Sequence, residues 1–249
     1  MPDILLPAIL LEVCVDTAEG LEAAIAGGAD RIELCSSLGE GGLTPSAGLM
    51  ALAGRQSLPV RAMIRPRAGD FTFDAAEVAV MRDDIKAARD AGLAGVVIGA
   101  IDAAGALDRA VLEGLMAAAS GMGVTLHRAV DLLPSPREAV EVARALGIDT
   151  ILTSGGALKA PEGNDEILAM VRRAGPDLTI LAGSGLRAEN VGALVAATGV
   201  RAVHASCSGI RDGGDPRAVA MGFAPPRRSA TDRAAVERMR RVLDDLAKA

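Results

Sequence analysis

Two acids, one arginine and the chain's only two histidines carry most of the chemistry this sequence could do. Each lies in or at the end of a short apolar run: Glu12, Glu33, Arg65, His127 and His204. Carboxylates and imidazoles brought to one place can pass protons, and a guanidinium beside them can neutralise an anion. A second set is made of glycine and serine. Leu181-Ala182-Gly183-Ser184-Gly185-Leu186 and Ser206-Cys207-Ser208-Gly209 resemble loops whose backbone N–H groups approach a phosphate, and Ser154-Gly155-Gly156 could add donors. As a plain alternative, Gly-Ser-Gly is a tight turn. The third set is the three cysteines, Cys14, Cys35 and Cys207. Two converging thiolates suit a soft cation such as Cu(I), whereas the spacing lacks the four ligands of a structural zinc site. Buried cysteine is also an ordinary small hydrophobe.

These residues need a scaffold that brings them together. Short apolar segments (10–15, 31–34, 60–64, 95–98, 124–127, 150–153, 179–181 and 202–204) alternate with amphipathic stretches of helix length. The helices are expected near 17–26, 45–56, 74–91, 108–120, 136–146, 164–173, 188–198 and 232–247. Start signals such as Thr17, Asp74, Pro136 after Ser135 and Thr231-Asp232 fit these bounds. Strands separated by helices form a parallel sheet. A glycine followed within a few residues by an apolar strand recurs at Gly28, Gly92, Gly147 and Gly199, where helices would end in the left-handed conformation. A doubly wound open sheet has the same alternation. Eight units favour a single α/β domain over 1–249, a (β/α)8 TIM-type barrel with parallel strands, with 208–229 as a long loop after the eighth strand. Disorder or subunit contact is expected of that loop more than a lid.

Strand parity then sorts the side chains. Leu11, Val13 and Val15 form an apolar set for the outer helices, so Glu12, Cys14 and Asp16 face the lumen. By the same rule Glu33 and Cys35, Met63 and Arg65, Thr125 and His127, and His204 and Ser206 face inward. Catalytic groups of such barrels lie at the carboxyl ends of the strands, where these residues fall. The acids and Arg65 would equally serve as a buried ion network that fixes the barrel, because buried charges need partners with or without chemistry. Barrel closure makes strands one, two and eight neighbours about 4.8 Å apart, bringing the cysteines near one another.

Composition narrows the classes. Half of the 249 residues are apolar but only 1% are aromatic, so a surface that stacks nucleic-acid bases is nearly excluded. A formal charge of −6 argues against a phosphate-backbone binder. No apolar run reaches 18 residues, no secretory leader is expected in the Pro7-interrupted start, and three cysteines do not read as a disulfide framework. The expectation is a cytoplasmic globular protein with neither nucleic acid nor membrane as partner.

Several motifs occur in order. They are Leu11-Glu12-Val13-Cys14-Val15-Asp16, Gly27-Gly28-Ala29-Asp30-Arg31-Ile32-Glu33-Leu34-Cys35-Ser36, Gly41-Gly42-Leu43-Thr44-Pro45-Ser46 and Met63-Ile64-Arg65-Pro66-Arg67. Gly69-Asp70-Phe71, His127-Arg128-Ala129, Asp131, Ile151-Leu152-Thr153-Ser154-Gly155, Gly183-Ser184-Gly185 and Val203-His204-Ala205-Ser206 follow. Together, from about residue 10 to 207, they closely resemble the CutC family. The resemblance implies a cytoplasmic β/α barrel assembled as a dimer or tetramer and named for copper homeostasis, with Cu(I) on Cys14 and Cys35. The alternative is a barrel enzyme acting on a small, phosphorylated metabolite. In that reading Glu12, Glu33, Arg65, His127, Asp131 and His204 form the catalytic set, and Ser154, Gly155, Gly183, Ser184, Gly185 and Ser206 hold the anion.

Overall fold

A computed structural model describes residues 8–248. The first seven residues, on which the leader question turns, lie outside the described part. Eight strands form a closed, all-parallel barrel in chain order: β1 (Leu10–Val15), β2 (Arg31–Leu34), β3 (Val60–Met63), β4 (Gly95–Ile98), β5 (Gly123–Leu126), β6 (Thr150–Thr153), β7 (Thr179–Gly183) and β8 (Ala202–Ala205). β8 pairs back onto β1, with Leu11 opposite Val203 and Glu12 opposite His204. These strands are short and rich in Val, Ile and Leu because a parallel strand covered on both faces has no side for water. Ile32, Leu34, Val96, Ile98 and Leu126 are wholly buried under the helices, and each such burial contributes roughly 1.5–3 kcal/mol.

The covering helices are α1 (Ala18–Ala26), α2 (Ala47–Ala53), α3 (Ala75–Asp90), α4 (Arg109–Ala118), α5 (Ala139–Leu146), α6 (Asn164–Ala174) and α7 (Ala188–Thr198), followed by a short α8 (Pro216–Ala220) and a closing α9 (Arg233–Lys248). Thr17 caps α1 by accepting from Gly20 N, and Asp74 with Glu77 makes a reciprocal capping box on α3. Ser46, one residue beyond Pro45, caps α2. The expected helix at 136–146 is a 3₁₀ turn over Pro136–Glu138 that runs into α5. The recurring glycines all adopt positive φ: Gly28 at 91°, Gly92 at 78°, Gly147 at 73° and Gly199 at 70°. Each turns the chain from a helix into the next strand, a bend that a Cβ would strain.

Inside the barrel the amino-terminal end is plugged. Leu10, Leu152, Leu181 and Ala202 form an apolar cluster. Beside it Arg61 Nη1 donates to Thr125 Oγ1 (2.8 Å), Asp149 Oδ1 (2.7 Å) and Thr150 Oγ1 (3.3 Å).

The segment after β8 differs from expectation. Residues 208–229 are not one long loop. β9 (Ser208–Asp212) pairs antiparallel with β10 (Arg227–Thr231), and α8 lies in the connection. Both strands are largely exposed and polar, so their backbone pairing leaves no apolar alternation in the sequence. Arg211 Nη1 donates to Glu19 Oε1 (2.5 Å), tying the hairpin to α1.

Candidate functional site

The carboxyl end of the barrel opens into a cavity of about 1100 Å³. One corner is set by the register of β8, β1 and β2. Glu12 stands level with both His204 and Arg31, and Cys14 stands level with Glu33. Neighbouring strands therefore hold four ionisable side chains and a thiol on two adjacent rungs. Glu12 is wholly buried between partners: His204 Nδ1 lies 2.9 Å from its Oε1, and Arg31 Nε donates to its Oε2. Burial works against this carboxylate, yet the His204 hydrogen bond and the Arg31 charge hold its pKa at about 2. Burial also opposes charge on His204, but Glu33, Cys14 and Glu12 raise its pKa well above the ordinary histidine value.

Glu33 is the less satisfied acid. Its Oε2 lies 3.7 Å from His204 Nε2 and accepts from Cys35 Sγ at 3.6 Å, while the buried Oε1 has no partner. Burial, with the Glu12 charge adding to it, raises its pKa against the pull of His204. Cys14, Glu33 and His204 each offer an atom such that all three lie within 4.8 Å of one another, a spacing that could hold a metal ion. Cys35 lies outside this group, packed with Met63 and Val97, and burial followed by the Glu33 charge pushes its thiol pKa far up. Cys207, at a left-handed φ of 43°, lines the cavity, and burial pushes its pKa to about 12. Gly183 serves the corner by its size, since a Cβ there would fall 3.1 Å from His204 Cβ and 2.6 Å from Leu152 Cδ1.

The opposite corner belongs to β3 and β5. Arg65 follows β3, 5% exposed, and spends Nη1 on Glu40 O (2.8 Å) and Gly42 O (3.1 Å) and Nη2 on Gly69 O (2.7 Å). No carboxylate among the described residues comes within salt-bridge distance of it. Its buried Nε has no partner. The Phe71 ring lies against both Arg65 and His127, with the guanidinium 4.9 Å from the ring centre and the imidazole 4.8 Å. His127 is one residue past β5. Its Nδ1 accepts from Ala129 N (3.1 Å), so the proton of the neutral ring sits on Nε2, which is buried and unpartnered. Burial, reinforced by Arg65, lowers its pKa to about 3.

Asp131 is not a free acid. It accepts from Arg128 Nε (2.7 Å), Thr153 Oγ1 (2.5 Å), Ser154 N (3.0 Å) and Gly156 N (3.0 Å), and its Oδ2 lies 2.9 Å from Ser154 Oγ. This network braces the loop after β6. Gly155 packs against Gly163, and its N–H is taken by Thr153 Oγ1. Ser154 and Gly155 are therefore not among the cavity walls, and neither are Glu12, Cys35 and Gly183, whereas Ser184, Gly185 and Ser206 are. Ser184 holds a φ of 82°, unusual for a residue with a side chain, and Gly185 holds 70°. The N–H groups of Ser184, Gly185 and Leu186 find no acceptor among the described residues, and α7 begins just beyond them.

The CutC family model matches residues 9–209, a span that takes in the whole barrel and both corners of the cavity. The chain belongs to the CutC family. Relatives named family protein CutC from Sinorhizobium medicae and Caulobacter vibrioides are 55% and 54% identical to it. They cover 96% and 92% of this chain, which in turn spans 98% and 94% of theirs. A solved CutC structure from Streptococcus agalactiae, a protein named for copper homeostasis, is 30% identical with a TM-score of 0.76. It covers 80% of this chain and 98% of its own.

Parity in the sequence pointed to Glu12, Glu33, Arg65, His127 and His204 but passed over Arg31 and Arg61. Arg31 shares the parity of Glu33, and Arg61 that of Arg65, so the same rule contained both. Phe71 lies on a loop and Arg128 opens a short 3₁₀ turn, where no periodicity marks a direction. Among the described residues no helix of this CutC chain is long and apolar enough to cross a membrane.

Proposed function

We propose that this CutC chain serves copper homeostasis by binding Cu(I) at the β8–β1–β2 corner. The supporting observation is the Cys14, Glu33 and His204 group, whose atoms lie within 4.8 Å of one another. The donors fit a soft monovalent ion: Cys14 offers a thiolate and His204 an imidazole. With Nδ1 held by Glu12, which Arg31 anchors in turn, His204 keeps Nε2 for the ion, the usual arrangement of a ligand histidine on a carboxylate. Cys35, next along the lumen face from Glu33, supplies the second sulphur once its contact with Glu33 gives way. The reduced protein, titrated anaerobically with Cu(I) against a competing chelator, is expected to hold one ion per chain. Cys14→Ser and His204→Gln should lose it, and Cys35→Ser should weaken it. Binding indifferent to Cys14 would overturn the assignment.

A second reading has its own support. A cavity of about 1100 Å³ is far larger than an ion needs and matches the upper range for small-molecule sites. The free N–H groups of Ser184, Gly185 and Leu186 before α7 suit a phosphate, with Ser206 beside them. A barrel enzyme acting on a small phosphorylated metabolite would anchor the substrate there, with Arg65 balancing charge and Glu33 or His127 handling protons.

A further inference from the structure

We infer that, in the metal-free protein, Cys14 is a nucleophile that takes the acyl group of a small activated ester or thioester, with His204 as its proton partner. The inference goes beyond the copper reading, which uses the same two side chains as ligands. It rests on the second reading only in taking the cavity to admit a small organic molecule, and it needs no phosphate.

The geometry is a chain of three groups. Cys14 Sγ, a ring nitrogen of His204 and a carboxylate oxygen of Glu33 lie within 4.8 Å of one another. His204 Nδ1 is 2.9 Å from Glu12 Oε1, and Arg31 Nε anchors the other oxygen of Glu12. The register sets this order: Glu12 stands level with His204, and Cys14 is two residues farther along β1 on the same face. Thiol, imidazole and carboxylate then follow one another as nucleophile, proton partner and the acid that holds the ring. The thiol–imidazole spacing is that of a pair awaiting its substrate, since such contacts tighten when the site fills.

The reacting groups are open to the cavity. Cys14 and His204 both line it. A ring kept for structure alone would satisfy both nitrogens, yet nine-tenths-buried His204 spends only Nδ1, on Glu12. Its Nε2 has no hydrogen-bond partner among the described residues, Glu33 Oε2 being 3.7 Å away, and unlike His127 Nε2 it is not sealed from solvent. Cys14 is 7% exposed. The other two thiols lack this setting: Cys35 is wholly buried and off the cavity wall, and Cys207 lines the wall outside the Cys14, Glu33 and His204 group.

Proton bookkeeping selects the substrate class. With the proton shared by the pair resting on Nε2, Sγ bonds to a carbonyl carbon and the bond from that carbon to the leaving oxygen or sulphur breaks. The leaving atom keeps the electron pair and takes the Nε2 proton, a transfer for which the imidazole stands beside the attacking sulphur. Water then attacks the thioester on Cys14, gives a proton to Nε2 and expels Sγ, which restores the pair. No oxidant or further reactant enters. The cavity of about 1100 Å³ has room for a small acyl donor.

The test uses the whole reduced protein, freed of metal with a chelator, and two probes. Iodoacetamide, which loses iodide to an attacking thiol, reports which cysteine is reactive. p-Nitrophenyl acetate reports acyl transfer. Peptide mapping is expected to find Cys14 alkylated about tenfold faster or more than Cys35, Cys207 or free N-acetylcysteine under the same conditions. p-Nitrophenyl acetate should release a burst of one p-nitrophenolate per chain and leave the acetyl group on Cys14. His204→Gln should slow both reactions about tenfold or more. If that variant does not fold, the wild-type rates of the three thiols and the loss of the burst in Cys14→Ser decide. Cys14 reacting no faster than N-acetylcysteine, a first label on Cys207, no burst, a burst that survives Cys14→Ser, or a folded His204→Gln as fast as wild type each overturns the proposal. The acetate probe carries no phosphate, so none of these outcomes depends on the Ser184–Leu186 donors, and a failure to bind Cu(I) in the separate titration leaves them unchanged.

Discussion

Arg61 lies on β3 and Arg65 two residues past its end, four residues apart with the same parity, yet their surroundings are opposite. Arg61, at the plugged end of the barrel, donates to two threonines and the Asp149 carboxylate, and Asp149 receives Val124 N as well. Arg65, at the open end, donates its side-chain hydrogen bonds only to carbonyls and keeps a buried N–H unused. The floor is chemically closed and the mouth is left open. A barrel that filled both ends with matched pairs would gain stability and lose any means of holding a ligand.

Breaking the floor should therefore cost most. Arg61→Leu is expected to lose about 2–3 kcal/mol of folding stability, because the buried hydroxyls of Thr125 and Thr150 lose their donor while half-exposed Asp149 turns to water. Arg65→Gln should lose only about 1 kcal/mol, the scale of ordinary hydrogen bonds. Urea unfolding of the two variants, analysed with a common slope, measures the gap, and equal losses would erase the contrast between the ends.

The two ends should also differ in acid. His127 takes a proton near pH 3 when folded and near 6.5 when unfolded, so the unfolded chain binds the proton first. Its contribution is whole above pH 6.5 and is lost as pH falls toward 3. Between pH 7 and pH 5 this amounts to about 2 kcal/mol. Asp149, held below the ordinary carboxylate range against burial by Arg61 and Thr150, favours folding at every pH above that range and weakens only in stronger acid. Stability curves of wild type and His127→Gln across pH 5–7 should diverge accordingly, the gap between them changing by about 2 kcal/mol over that range while the slopes due to Glu33 and His204 stay common to both.

The smallest effect is expected far from both. Gly147 has a φ of 73° and open space around its Cα, so Gly147→Ala should cost about 1 kcal/mol through backbone strain alone. Thermal unfolding should register that loss while Cu(I) binding stays unchanged. A change in binding would mean that the αβ turns at the floor communicate with the mouth.

The barrel was legible because its signals are local and repeated. Glu12 and His204 could be placed in the lumen from alternation alone, since a two-residue period needs no tertiary knowledge. Asp131 could not be judged that way. Its occupied state depends on Thr153, Ser154 and Gly156 arriving from the next strand's loop, and no spacing within the 3₁₀ turn over Arg128–Leu132 announces it. The β9–β10 hairpin was hidden for a different reason. Ser208–Asp212 and Arg227–Thr231 bury almost nothing, so their pairing is a backbone event without a side-chain signature. The unused donors of Arg65 and His127 were invisible for a third reason: a missing partner is defined only once every neighbour is in place.

The Glu12–His204 contact spans 192 residues of chain. In kinetic terms it cannot form until nearly the whole polypeptide has been made and the last strand has found the first. Long-range pairings of this sort are slow because the loop must close before any contact repays it. The β8–β1–β2 corner is thus the seam of the ring, and on the proposed function occupancy by Cu(I) would be a calorimetric marker of closure itself. A chain interrupted before β8 could be rich in helix and strand and still have no site at all.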